Sequence, residues 1–144
     1  MPANTSPIFS KSGDVSTNGT TGMSQLVLNA ANDYTGIDAD VTLVFTSDAT
    51  NGGYVQRLRF KAGGTNVATV ARIYINNGST PGTATNNAFY GEVSLPATTA
   101  IATAATIDID YQMNFAIPAG FRIYFGIATA VAAGWACIAI GGKY

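Results

Sequence analysis

Closely spaced carboxylates are the residues of this sequence that come nearest to a catalytic pattern. Asp108 and Asp110 alternate along one candidate strand, which sets them roughly 7 Å apart on one face. Two carboxylates at this distance resemble a glycosidase pair, but such pairs normally face each other across a cleft from different elements. Pairing with an arginine on a neighbouring strand is the simpler interpretation, so we expect no catalytic residue. The candidate arginines are Arg57, Arg59, Arg72 and Arg122.

A second acidic group offers oxygen ligands of the kind that calcium prefers, and consists of Asp33, Asp38 and Asp40. Its spacing matches no EF-hand loop, and Asn32, Asp33 and Gly36 are also typical turn residues. We expect neither a metal site nor a cofactor, although the sequence leaves open whether these three aspartates bind a cation.

Composition excludes several other functions. The 144 residues contain no histidine, which excludes a Ser-His-Asp triad, a histidine-ligated zinc and a histidine general base. The single cysteine, Cys137, lies in the apolar run 134–138, where we expect a buried and unreactive thiol. Seven Lys and Arg against eight Asp and Glu provide no basic surface for a phosphate backbone, so we expect no nucleic-acid partner.

The uncharged stretch 123–142 has about the length of a membrane-spanning helix. It contains four glycines, which weaken a helix, and a small-residue turn at 130–134 divides it. Its apolar residues alternate in two short runs, so we expect two strands here and no membrane partner.

Hydrophobic residues recur with a period of two rather than 3.6 from residue 24 onward, which indicates strands with one buried face. The pattern predicts strong strands at 54–62, 67–76, 107–114 and 121–127, and weaker ones at 25–29, 41–46, 88–95 and 135–140. About eight strands in a chain of this length predict an all-β fold, a two-sheet antiparallel sandwich that is jelly-roll-like.

The alternation also assigns individual side chains to the two faces of each strand. It places Tyr54 towards the core with Val55 outside, and it places Val67 towards the core with Tyr74 outside. A row of exposed rings could stack sugar rings or contact a protein partner. The candidate rings are Tyr54, Tyr74, Tyr90, Tyr124 and Trp135, of which Tyr74 and Tyr124 form a possible surface platform because they share a face with arginines.

The first 22 residues are mostly Thr, Ser, Asn, Gly and Pro, and cannot bury enough surface to offset their ordering entropy. We expect a flexible N-terminal arm at 1–22 and a β-sandwich domain at 23–144. The candidate partner-contact residues of this arm are Pro7, Ile8, Phe9 and Lys11.

Several runs of the chain resemble small structural proteins of tailed phages and prophages. The longest is RLRFKAGGTNVATVARIYINNGS at 57–79, and shorter ones are NNA at 86–88, EVSLPATT at 92–99, PAGFR at 118–122, TAVAAGW at 129–135 and GGKY at 141–144. The resemblance covers most of residues 40–144 and extends to the style of the start at 1–11. The acidic segment 32–40 and Cys137 depart from the pattern.

This resemblance implies a non-enzymatic virion protein, a head decoration or cement protein, and carries over no catalytic or metal residue. The implied partners are the phage major capsid protein and other copies of the chain, in a homo-oligomer such as a trimer. The implied location is the capsid surface of the virion, after synthesis in the cytoplasm of the host bacterium.

Two alternatives remain open at the level of sequence. One is a carbohydrate-binding or host-adhesion module on a phage fibre or tail, which would use Tyr74, Tyr124 or the loop 77–87. The other is an enzyme such as a cell-wall hydrolase, which requires Asp108 or Glu92 to face another carboxylate in a deep pocket.

Overall fold

The fold is an antiparallel sandwich of two β-sheets, as the computed structural model shows for residues 12–16, 26–27, 29–31 and 33–144. Within these residues there is no α-helix, and the one helical turn is the 3₁₀ helix Ala84–Asn86. The predicted all-β two-sheet sandwich is therefore confirmed. The strands are β1 Ser12–Ser16, β2 Leu26–Val27, β3 Thr42–Thr46, β4 Gly53–Ala62, β5 Thr69–Asn76, β6 Asn87–Leu95, β7 Asp108–Ile117, β8 Arg122–Ile127 and β9 Trp135–Lys143.

Strand order identifies the sandwich as a jelly roll. The first sheet runs β1-β9-β4-β7, with β2 also pairing with β9, and the second runs β3-β8-β5-β6. Counting β1 and β2 as one interrupted strand, the described residues form eight strands that pair first with last, second with seventh, third with sixth and fourth with fifth. This nested pairing wraps one long hairpin around a core, which is the jelly-roll arrangement.

The core lies between the sheets and is filled by the inward side chains of their central strands. Leu58 and Phe60 of β4, Ile73 of β5 and Trp135 of β9 are completely buried. The rings of Phe60 and Phe125 meet edge to face at 5.7 Å and join the two sheets. The stretch 123–142 forms most of β8 and β9, as predicted, and no helix in the described part of the chain is long and apolar enough to cross a membrane.

A bulge in β4 corrects the predicted faces of its first residues. Pairing of β4 with both of its neighbours shifts between Val55 and Arg57, so that Gln56 is an extra residue relative to β9. The extra residue inverts the alternation before it, because side chains on a strand alternate with a period of two. Val55 is consequently fully buried and Tyr54 is 36% exposed, the opposite of the prediction.

Two strands begin later than their apolar residues suggest. Val67 was predicted to face the core and is 57% exposed, because β5 begins only at Thr69. Ile107 is likewise outside β7 and is 46% exposed. An apolar residue beside a turn has no neighbouring sheet to cover it.

The predicted arm at 1–22 contains a strand. Ser12–Ser16 form β1, which pairs with β9 in the register Ser12 to Lys143 through Ser16 to Ala139. Backbone amides and carbonyls make this ladder, so a polar sequence can join the edge of a sheet without burying apolar side chains. The candidate contact residues Pro7, Ile8, Phe9 and Lys11 lie outside the described residues.

Candidate functional site

Tyr74, one of the two candidate platform tyrosines, is not at the surface. Its side chain is 1% exposed, because the segment 33–37 folds over the outer face of β5. The Tyr74 hydroxyl donates a hydrogen bond to the Asp33 carbonyl at 2.8 Å. Burial, and secondly the charge of Asp33, raises the pKa of Tyr74 to about 12. The period-two alternation predicts the outer face of β5 for this ring correctly. The ring is nevertheless buried, because the segment 33–37 covers that face.

Arg72 fastens this covering segment to the sheet. Its guanidinium carbon lies 4.0 Å from the centre of the Tyr34 ring, and its Nη2 donates to the Tyr34 hydroxyl at 3.0 Å. The Nε atom lies 3.8 Å from an oxygen of Glu92. Tyr34 in turn meets Phe89 edge to face at 5.3 Å. Arg72 therefore connects the covering segment to β5 and β6 of the second sheet.

Tyr124 does lie on the outer face of the second sheet, half-buried. It borders a cavity of about 220 Å³ that is also lined by Pro81 and Gly82. These two residues belong to the loop 77–87, so the structure brings together Tyr124 and the loop that the sequence proposes as a sugar platform.

Two of the three clustered aspartates cap turns, and the third, Asp40, accepts a hydrogen bond from the Asn29 side chain at 3.2 Å. Asp33 Oδ1 accepts hydrogen bonds from the amides of Thr35 and Gly36, at 3.0 and 2.7 Å. Asp38 Oδ1 accepts from the Asp40 amide at 2.9 Å. Carboxylates used in this way replace backbone partners within a turn. Among the residues that the structure describes, no group of three or more His, Cys, Asp or Glu could hold a metal ion.

Asp108 and Asp110 form ion pairs across the strands, as expected. Arg59 makes a two-point contact with Asp110, Nε to Oδ1 at 2.8 Å and Nη2 to Oδ2 at 3.0 Å. This contact lowers the pKa of Asp110 and raises that of Arg59. Arg57 lies 3.5 Å from Asp110, and Lys61 lies 3.9 Å from Asp108. Of the other candidate arginines, Arg72 meets Glu92 and Arg122 donates to a backbone carbonyl of the loop 77–87.

Cys137 is a buried residue of β9, as predicted. Its side chain is 1% exposed and lies beside Phe60 in the β4 pairing register. Burial raises the pKa of the thiol well above its ordinary value. The reactive thiolate is therefore suppressed in the folded chain.

The side of the sandwich formed by β6 and β7 carries a row of aromatic and aliphatic side chains, one of them exposed and the others partly buried. The Tyr90 ring of β6 stacks on Phe115 of β7 at 5.5 Å and meets Tyr111 edge to face at 6.4 Å. Tyr90 is 41% exposed, whereas Val93, Ile109, Tyr111 and Phe115 are half-buried against the core. We call these five residues, Tyr90, Val93, Ile109, Tyr111 and Phe115, the aromatic edge.

A second bulge directs Tyr90 to this place. In the pairing of β5 with β6, Ile73 faces Gly91 and Tyr74 faces Phe89, which leaves Tyr90 as the extra residue. Bulges bend a strand and re-aim a side chain. Gly91 also makes room for the neighbouring ring, because a Cβ at this position would collide with the Tyr111 hydroxyl. The rings of two different sheets can therefore pack across the open side.

No protein-family model matches the chain, and neither a curated protein nor a solved structure matches it. Function therefore has to be inferred from the surface of the chain itself. The aromatic edge combines the exposed ring of Tyr90 and four partly exposed apolar side chains with two long strands, each of which pairs on one side only within the described residues. Sequence reasoning names Tyr90 as a ring but misses this site, because only the strand order brings β6 next to β7.

Proposed function

We propose that this chain is a structural protein of a bacteriophage virion, a capsid decoration or cement protein. It binds the outside of the assembled head and stabilises the head through protein–protein contacts, without catalysing a reaction. Its partners are the major capsid protein and other copies of the chain. The resemblance of residues 40–144 to small virion proteins supports this proposal, as does the two-sheet fold, in which β6 and β7 each pair on one side only within the described residues.

The aromatic edge is the single observation that carries the proposed mechanism. Exposed edge strands and contiguous exposed apolar side chains mark protein interaction surfaces, and natural proteins normally cover or charge them. Tyrosine and phenylalanine are enriched at such interfaces because each ring contributes a large contact area. We infer that the aromatic edge is covered by another protein in the working assembly.

Charge pairing within the chain favours further copies of this chain as the proteins that cover it. The acidic side chains of the two edge strands already have cationic partners, Asp110 with Arg59 and Glu92 with Arg72. The net charge of the whole chain is only −1. Identical edges can therefore approach each other around a rotation axis without bringing unpaired like charges together. A trimer is one closed assembly of this kind.

Side-chain packing, rather than continuous strand addition, would join the copies. The bulge at Tyr90 interrupts the edge of β6, and β7 is interrupted near Asn114, whose φ of 51° places it in the left-handed region. Interruptions of this kind prevent a neighbouring strand from pairing along the whole edge. The interface would therefore have a fixed size, as a closed oligomer requires.

Binding to the assembled head stabilises it by linkage. A protein that binds the closed shell but not free coat subunits shifts the equilibrium towards the shell. Many symmetry-related copies each need only a modest contact, of roughly 1,200–2,000 Å² in total. We assign Pro7, Ile8, Phe9 and Lys11 to contact with the coat, because an apolar pair within a polar segment can anchor a partner.

The test uses phage heads that lack this protein. Purified chain is added, and the temperature of DNA release is measured against the amount bound. We expect saturable binding and a higher release temperature, because bound copies must dissociate before the shell opens. Absence of binding, or binding to the tail alone, would contradict the cement role.

Two matched variants test whether the aromatic edge is needed for the gain in release temperature. Tyr90→Arg places a charge in the edge, whereas Tyr54→Arg places one on a comparably exposed tyrosine of β4, 36% against 41% exposed. The first variant should lose most of the gain in release temperature and the second should keep it. An equal gain in release temperature with both variants would show that the aromatic edge does not contribute to stabilisation of the head.

A further inference from the structure

The cavity beside Tyr124 has the features of a small binding site, independently of the proposed function. It lies on the outer face of the second sheet, between the segment 36–41 and the loop 77–87. It is lined by the half-buried Tyr124, by Ile37 and Asp38 of that segment, and by Pro81 and Gly82 of the loop. The volume of about 220 Å³ suits one small ring, below the usual range for larger ligands.

The side-chain amide of Asn87 connects the two segments that line the cavity. The Asn87 Nδ2 group donates to the carbonyls of Pro81 at 2.7 Å, Thr35 at 3.1 Å and Gly36 at 3.3 Å. Asn87 is itself fixed, since its Oδ1 accepts from the fully buried Asn76 at 2.8 Å. The two loops are therefore tied to each other and to the sheet, and a ligand would meet a preformed site.

Two polar atoms of the cavity residues have no hydrogen-bond partner among the described residues. Asp38 uses Oδ1 to accept from the Asp40 amide, and no described residue donates a hydrogen bond to its Oδ2. The hydroxyl of Tyr124 likewise has no partner in that part of the chain. One atom accepts hydrogen bonds, and the other both donates and accepts them. A ligand with adjacent hydroxyl groups would satisfy both.

We propose that this cavity binds one neutral pyranose, the terminal sugar of a surface glycan. The tyrosine ring offers an apolar surface to the C–H face of a sugar, and the carboxylate accepts hydrogen bonds from its hydroxyls. Asp38 carries the single charge among the described residues that line the cavity, so anionic sugars and phosphates are disfavoured. A further consequence rests on the proposed function: if many copies decorate one particle, the particle would adsorb to glycans through many weak contacts at once.

The test is a titration with methyl glycosides of glucose, mannose and galactose, followed by amide chemical shifts in nuclear magnetic resonance spectra. We expect a dissociation constant in the millimolar range for at least one sugar, with shifts confined to the amides around Ile37, Gly82 and Tyr124. Tetramethylammonium is the competing probe, because an aromatic ring beside a carboxylate can also hold a cation. Binding of this cation without binding of any sugar would overturn the proposal.

Variants of the cavity residues test whether the sugar binds beside Tyr124. Tyr124→Ala should weaken it about tenfold and Tyr124→Phe about threefold, since the latter removes only the hydroxyl. Gly82→Phe should block the cavity without disturbing the fold, because a Cβ at Gly82 has no neighbour within 4 Å. Tyr54→Ala, on the other sheet, is the control and should bind normally. Sugar binding that survives Gly82→Phe would overturn the proposal, and its loss would leave the cement role untouched.

Discussion

Tyr90 stacks on Phe115, with ring centres 5.5 Å apart and planes 25° from parallel, although the two residues belong to different sheets. No ladder joins β6 to β7 in the described chain, so this ring contact bridges the open side of the jelly roll. Tyr90 remains 41% exposed. The contact therefore closes the core only partly and leaves an apolar row available to another molecule.

The first prediction concerns self-association. Tyr90→Arg should shift the equilibrium towards monomer by about tenfold or more in dissociation constant, because it places a charge at the centre of the proposed interface. Light scattering coupled to size-exclusion chromatography measures this directly. Tyr54→Arg is the control and should associate like the wild-type chain. A wild-type chain that is monomeric at all concentrations would refute the assignment of the edge to copies of itself.

A second prediction tests the segment that covers Tyr74. Gly36 has a φ of 71°, and a Cβ at this position would lie 2.9 Å from Cδ1 of Tyr74. Gly36→Ala should therefore lower the free energy of unfolding by about 1–3 kcal/mol, through backbone strain and overpacking. Gly82→Ala, which meets no atom within 4 Å, should change it by less than about 0.5 kcal/mol. Urea denaturation compares the free energies of unfolding of the two variants. Equal losses would mean that the segment 33–37 does not pack on Tyr74.

How far the sequence predicts this fold depends on local regularity. In β8 every second residue faces the core without interruption, so Ile123, Phe125 and Ile127 are buried as predicted. In β4 one extra residue at Gln56 inverts the faces of Tyr54 and Val55. The pattern of apolar residues gives no strong signal for a bulge. Each bulge turns the side chains that precede it to the opposite face of the sheet.

The candidate site was less predictable, because it depends on contacts between distant parts of the chain. The ion pair of Arg59 with Asp110 follows from two alternating strands of opposite charge. Burial of Tyr74 requires knowing that residues 33–37 fold across its strand, and the aromatic edge requires the strand order of both sheets. The pattern of a single strand contains neither piece of information.

A third prediction follows from the raised pKa of Tyr74. Between pH 10, near the pKa of an unfolded tyrosine, and about 12, the folded chain keeps a proton that the unfolded chain has lost. The free energy of unfolding should therefore fall as pH rises through this window, by on the order of 2 kcal/mol from this residue. Below pH 10 the contribution is fully present.

Tyr74→Phe removes this titration, so its stability deficit relative to the wild-type chain should shrink as pH rises through that window and reverse in sign before pH 12. At pH 7 the variant should be less stable by about 1 kcal/mol, because the Asp33 carbonyl loses its hydrogen bond. Denaturation of both chains at a series of pH values gives the difference in the free energy of unfolding at pH 7 and its change across the window. A difference between the chains that stays constant from pH 9 to 12 would contradict the assignment.

A fourth prediction concerns the thiol of Cys137. Because burial raises its pKa, the folded chain should react with a thiol reagent only through transient unfolding. The reaction should become fast in denaturant, with one thiol titrated per chain. Rapid labelling of the native chain would show that β9 opens readily and would argue against a rigid sandwich.

Imaging of heads reconstituted with purified chain tests the central claim most directly. Our account predicts density for the jelly roll at symmetry-related positions on the outer capsid surface, with the β6 and β7 sides of neighbouring copies facing each other. Bare heads, or density only at the tail, would contradict it.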